Sequence, residues 1–286
     1  MNRNKILLAN NINVIEDKGV VTQYTYNGST SVLPSFTPTD YKYTVSDVTN
    51  IDGSTTRTIH SVDSVYPTKC VLSSRYITSI DYYKLSETED ISLQGAFNSC
   101  YNLNSINLSM LDTSNCKSFT EMFKDCRSIT DLDLSNFDMA NALLLQGMFS
   151  GCTKLQTLNA NGWGELPIAN RVHYMFSNCN SLNKIIGSSD WVLSSVVNAS
   201  NMFNKCSSLP TLDLSNLKMS KCSNMQLMYY SCSRLTQLKL NSFVINSNCN
   251  VTNMLADVQS SCVITVPSNF GKTEADCGFN GTFTVI

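Results

Sequence analysis

Hydrophobic positions in this chain recur at a nearly fixed distance. Six cysteines, Cys100, Cys126, Cys152, Cys179, Cys206 and Cys232, are spaced by 26, 26, 27, 27 and 26 residues. Each closes a similar phrase: GAFNSC, EMFKDC, GMFSGC, YMFSNC, NMFNKC and LMYYSC. Three residues after each cysteine stands an aliphatic side chain: Leu103, Ile129, Leu155, Leu182, Leu209 or Leu235. Three further on comes Ile106, Leu132, Leu158, Ile185, Leu212 or Leu238, and two beyond that Leu108, Leu134, Ala160, Gly187, Leu214 or Leu240. The last two positions alternate with period two, which predicts a short strand with one face inward. Ile77, Ile80 and Tyr82 precede the first copy in register, and Ile264 and Val266 follow the last. Self-similarity at this period predicts a solenoid from about Ile77 to about Val266, in about seven units of 26–27 residues.

Between strands the pattern changes. A polar turn leads to one apolar anchor (Leu111, Phe137, Trp163, Trp191, Leu217 or Phe243), and a Ser/Asn-rich connector follows. The connector ends in a Met-aromatic pair, as in Met122-Phe123, Met148-Phe149, Met175-Phe176, Met202-Phe203 and Met228-Tyr229. This segment is expected to form one or two turns of α or 3₁₀ helix on the outer side, held by its buried face. The predicted fold class is therefore an α/β solenoid. Trp163 and Trp191 occupy the slot of Phe137 and Leu217 and read as core, with Trp191 one residue late because its unit carries an insertion. A lone unit buries too few side chains to offset the entropy of ordering its backbone, so the units must stack and both ends must be capped.

The ends lack the repeat. Residues 1–70 show extended, β-rich patches, with Asn27-Gly28 and Asp52-Gly53 as hairpin-turn signals. They are expected to form an N-terminal cap or attachment region, with the solenoid over 71–266 and a C-terminal cap over 267–286 in which GTFTVI closes as a strand.

Net charge is −2 and only 15% of residues are charged. There is no basic stripe for nucleic acid and no Lys/Arg run for an anionic membrane. No apolar run is long enough for a membrane-spanning helix, and Ile6–Ala9 is too short for a leader's apolar region. The twelve cysteines admit two readings. Val258 stands where the next repeat cysteine is due, which favours buried thiols packed as small apolar side chains. Disulfides between adjacent units are the alternative.

Catalytic signatures are lacking. The two histidines, His60 and His173, are far apart in sequence, no nucleophile-elbow, P-loop or metalloprotease motif occurs, and the cysteine spacing does not suit zinc. No metal or cofactor is expected. The repeat register instead points a ladder of strand residues outward: Asn107, Asp131, Asp133, Asn159, Lys184, Ile186, Asp213, Gln237 and Lys239 are the candidate binding residues. Asp131 and Asp133 read as a solvated strand face and not as an acid/base pair.

The phrase L-x-x-L-D-L-S-x-F, followed by a Ser/Asn connector and M-F-x-x-C, resembles the BspA-like leucine-rich repeats. ITDLDLSNFD with GMFSGC, and LPTLDLSNLKMS with LMYYSC, carry the likeness best. The resemblance implies a leucine-rich-repeat array whose sheet face is the contact surface. It also implies a non-enzymatic recognition or adhesion module, displayed on a bacterial surface or a phage virion, whose partner is a cell-surface protein or carbohydrate. The alternative is a structural component of a large particle, docked through the N-terminal region among neighbouring subunits.

Overall fold

The computed structural model describes residues 5–6, 15–16, 19–28, 33–37, 42–62, 66–166 and 168–286. Leu7–Ala9 of the short apolar stretch and Ser29–Thr30 after the Asn-Gly pair lie outside these residues.

The N-terminal region contributes β1 (Lys5–Ile6), β2 (Ile15–Glu16), β3 (Val20–Tyr26), β4 (Ser35–Thr37), β5 (Tyr43–Thr49), β6 (Thr55–Ser61) and β7 (Lys69–Val71). Asp52-Gly53 turns β5 back onto β6, with Gly53 at φ 80° and the two strands paired from Thr49↔Thr55 to Tyr43↔Ser61. Asn27-Gly28 closes no hairpin: β3 pairs with β6 on one side and with β8 (Ile77–Tyr83) on the other, both antiparallel. On its far edge β8 pairs in parallel with β10 (Ser105–Ile106). One five-stranded sheet, in the order β10-β8-β3-β6-β5, thus carries the N-terminal strands directly into the first coil.

From there the chain winds as a β-solenoid of about seven turns. One ladder consists of β9 (Ile91–Ser92) and β11 (Cys116–Ser118), continued by single bridges through Leu144, Arg171, Asn198, Asn224 and Asn250. The main strand ladder holds β12 (Asp131–Asp133), β13 (Thr157–Asn159) and β14 (Lys184–Ile186), then β15 (Thr211–Asp213), β16 (Gln237–Lys239), β17 (Val263–Val266) and β18 (Phe283–Val285). All of its pairs are parallel, and those up to β17 keep the register of the repeat, as in Leu132↔Leu158↔Ile185 and Leu212↔Leu238↔Ile264, while β18 pairs with β17 at a spacing of 19 residues (Ile264↔Phe283). The ladder is split into blocks, β12-β13-β14 and β15-β16-β17-β18. The closing GTFTVI segment supplies β18.

The expectation of an α/β solenoid is overturned. The Met-aromatic connector is not helical, and the only helix among the described residues is a 3₁₀ turn at Ser188–Asp190. The cause is a competition for backbone donors. The N–H groups of Glu121, Phe123 and Asp125 bond to the carbonyls of Gln146, Met148 and Ser150 in the next coil, at 3.0, 2.8 and 2.7 Å. Only the alternate donors, Met122, Lys124 and Cys126, close back within the coil, onto carbonyls three residues earlier. An α-helix needs every N–H to reach four residues back. Two left-handed residues four apart, Glu121 (φ 53°) and Asp125 (φ 60°), allow the alternation, and the same pair of φ values recurs at Tyr174 and Asn178 and at Leu227 and Ser231.

The core is a set of vertical columns. Phe123, Phe149, Phe176, Phe203 and Tyr229 stack with centroid spacings of 5.7, 5.1, 5.2 and 5.6 Å and interplanar angles of 5–12°. Trp163 and Trp191 stack at 5.7 Å and are both buried. All twelve cysteines are buried free thiols.

Candidate functional site

The strand face is built from the L-D-L-S phrase. Leu132 and Leu134 point into the core, which turns Asp131 and Asp133 outward. In β12, β13 and β15 the third residue ends the strand by capping the turn that follows. Asp133 Oδ1 accepts the Ser135 N–H at 3.0 Å and the Ser135 hydroxyl at 2.6 Å, and Asp213 does the same with Ser215 at 3.1 and 2.7 Å. Asn107 and Asn159 close equivalent turns onto the N–H groups of Ser109 and Asn161. Four of the nine predicted residues therefore hold the turn that ends their own strand.

All nine lie on this face of the solenoid, eight of them within β12 to β16 and Asn107 just after β10. Asp131, Asp133, Lys184, Ile186 and Gln237 are exposed, while Asn107, Asn159, Asp213 and Lys239 are half-buried. The register brings Asp133 beside Asn159, whose amide donates to Asp133 Oδ1 at 3.0 Å. It also brings Asp213 beside Lys239, with Nζ 2.8 Å from Oδ2. The Ser135 hydrogen bonds hold the Asp133 carboxyl below the ordinary value. Burial acts to raise Asp213, but the hydrogen bonds from Lys239 and Ser215 prevail and its pKa is lowered. Both aspartates are held as anions; Asp213 uses both carboxylate oxygens within the protein, whereas the bonds to Asp133 all fall on Oδ1.

Between β14 and β15 the ladder opens. The extra residue of that unit is taken up by the Ser188–Asp190 turn, entered through Gly187 at φ 88°. A Cβ on Gly187 would stand 2.7 Å from Asn161 Cα and 2.9 Å from Ala160 O, so the chain passes here only as glycine. Side chains replace the lost strand pairing: Ser188 Oγ donates to Asp213 O at 3.0 Å, and Asn216 Nδ2 to Ser189 O at 2.8 Å. The break leaves a hollow of about 240 Å³ on the strand face, lined by Lys184, Ile185, Gly187, Ser188, Thr211 and Asp213 among others. It joins Lys184 and Asp213 from the predicted set to Ser188 and Thr211, which the repeat register also turns outward, and to Ile185 and Gly187, which it does not. The available signal was the late arrival of Trp191, which marks the insertion that opens the cleft.

This site offers one free ammonium, hydroxyls, backbone groups and the exposed aliphatic Ile186. Among the described residues no three His, Cys, Asp or Glu side chains gather in a metal-holding group. His60 lies in β6 and His173 in the stacked turns, away from this face. No helix of the described residues is long and apolar enough to cross a membrane.

No curated protein matches the sequence. A family model described as "Mycoplasma protein of unknown function, DUF285" matches twice, over residues 68–187 and 159–263. The two matches overlap within the array, as a model laid twice along a repeat must, and together they span the solenoid from before β8 to the start of β17. The chain therefore belongs to this DUF285 family, whose repeat is here a β-solenoid coil.

Proposed function

We propose that the chain is a non-enzymatic recognition or adhesion module, displayed on a bacterial surface or a virion, that binds a protein or glycan on a cell surface. The observation that carries this reading is the broken strand face. A rigid stack of coils presents an extended polar surface, and the break in it between β14 and β15 forms a cleft flanked by exposed Lys184 and Ile186. Such scaffolds gain binding area from many coils at once, with little loss of conformational freedom. The likeness of the repeat phrase to the BspA-like leucine-rich repeats supports the same reading. The test is retention of the full chain on intact bacterial cells and on purified envelope polysaccharide. Wild type is expected to be retained, and K184E combined with I186D to be retained at least tenfold less with unchanged thermal midpoint. A wild-type chain retained on neither would sink the proposal.

A second reading, a particle component docked through the N-terminal region, is favoured by β5. This seven-residue strand is the outer edge of its sheet, and all but Tyr43 of its residues are exposed. Among the described residues no strand pairs with its far side, and an edge of that length is a ready template for strand addition.

A further inference from the structure

The stacked turns form a second face of the solenoid, away from the strand ladder, and one place on it departs from the repeat. The residue just before each methionine is the first of the two left-handed positions of its coil. Reading up the stack, this column runs Glu121, Gly147, Tyr174, Asn201 and Leu227. Gly147 is a gap in the column between two large side chains, and Glu121 and Tyr174 stand two coils apart, about 10 Å. The gap is the floor of an open hollow of about 320 Å³, with Lys124, Gln146 and His173 completing the wall.

The chemistry of the wall is mixed and balanced. Glu121 and Lys124 form an ion pair at 2.6 Å, so the lining carries no net charge from them. Burial, with a contribution from Arg171, lowers the His173 pKa and so favours its neutral form. Gln146 Oε1 and His173 Nδ1, from adjacent coils, are buried acceptors without a hydrogen-bond partner. Each carries a desolvation penalty that a donor reaching it through a small side-chain rotation would remove. Tyr174 holds a half-exposed ring (47%) at φ 58°, a conformation that costs a tyrosine and that glycine or asparagine would take freely. The same φ recurs at this position in the neighbouring coils, so what sets Tyr174 apart is the large ring it exposes beside the Gly147 gap.

We infer that this hollow is a subsite for a neutral sugar ring, stacked on Tyr174 and hydrogen-bonded by its hydroxyls to Glu121, Gln146, His173 and Lys124. A neutral ligand matches the balanced wall. Vicinal hydroxyls both donate and accept, which suits a site holding acceptors beside an ammonium donor. The C–H face of a pyranose suits a tyrosine ring, and the volume is at the lower end for small-molecule sites. The inference rests on the recognition reading for its biological sense, but it assigns a different face and a ligand class.

The chain has two histidines, so the imidazole C–H signals of the full-length protein give a direct report. The probes are glucose, galactose, mannose and N-acetylglucosamine, their β-linked oligosaccharides, and sialic acid as an anionic comparison. At least one neutral sugar is expected to shift the His173 signal saturably, with a millimolar dissociation constant, and to leave His60 unmoved. A response to monosaccharides identifies a single-ring site, and a response to oligosaccharides alone a chain-bound one. Y174G is expected to weaken binding at least tenfold while its thermal midpoint stays equal or rises. The assignment is overturned if no neutral sugar moves the His173 signal, if sialic acid binds more tightly than every neutral sugar, or if folded Y174G binds as wild type. If no neutral sugar moves the His173 signal while the wild-type chain is still retained on cells, this site fails and the recognition reading stands.

Discussion

At the scale of single residues, the repeat cysteine does more than fill a small core site. Cys126, Cys152, Cys179, Cys206 and Cys232 each place Sγ 3.0–3.2 Å from the carbonyl oxygen of the aromatic residue one coil back, from Phe97 O to Phe203 O. The Phe123 carbonyl also accepts the Cys126 N–H at 3.0 Å, so both of its lone pairs are used. Val258 fills the volume at the end of the array without a donor. Replacing Cys152 by alanine removes both volume and donor, and is expected to lower stability by about 1–3 kcal/mol in urea titrations. Tyr229 presents the opposite case. It continues the phenylalanine column, but its hydroxyl is buried without a partner. Y229F removes that unsatisfied group and leaves the stacked ring, so stability is expected to rise by about 1–2 kcal/mol. An unchanged or lower midpoint would mean that the hydroxyl is satisfied in solution.

At the scale of elements, the strands were legible in the sequence and the connectors were not. Period-two alternation at Leu132-Leu134 or Leu238-Leu240 depends only on which face is buried, and the structure places those strands in the predicted register. The Met-aromatic segment carries apolar residues at a spacing that a helical turn also satisfies. What excludes the helix is the neighbouring coil, which claims every second N–H, and that contact is absent from any single unit. The left-handed positions were visible only indirectly, as Gly95, Gly147 and Gly151 in columns otherwise filled by ordinary residues. Among the candidate residues, outward orientation was legible, but the recruitment of Asp133 and Asp213 into turns was not, because it depends on a serine two residues on. Leu227 tests this account of the connector. It holds φ 58° with a branched side chain, so L227G is expected to gain about 0.5–1 kcal/mol, where glycine inside a helix would lose that amount. Gly187 gives the converse: G187A forces a Cβ against the Asn161 backbone and is expected to cost about 2 kcal/mol or more and close the strand-face cleft.

At the scale of the whole molecule, the stacking that creates the core also fixes how the fold responds to pH. Burial pushes the thiols of Cys100, Cys152 and Cys232 up to about 12. Desolvation raises Cys126, Cys179 and Cys206 as well, and the neighbouring repeat thiols add to it. A thiol raised in the folded state stays protonated where the unfolded chain has already ionised. Its contribution is therefore complete below about pH 8.5 and is lost as pH rises toward the folded value. Each thiol costs about 1.4 kcal/mol per pH unit in that window, so the three with values near 12 together remove about 4 kcal/mol per unit. Carboxylates oppose this only at the acid end, since the lowered pKa values of Asp133 and Asp213 add stability that is lost as pH falls below about 4. Stability is expected to be level from about pH 7 to 8, to ease below about pH 6.5 as the unfolded chain protonates His173 first, and to collapse within one or two units above pH 9, because total stabilities of domains are only about 5–15 kcal/mol. Circular dichroism against pH checks the profile, and thiol alkylation at pH 8 checks its cause. The native chain should resist reaction at all six repeat positions, and the denatured chain should react at each. A fold that persisted unchanged to pH 12, or repeat thiols that reacted in the native state, would show that the coils do not seal the cysteine column from water.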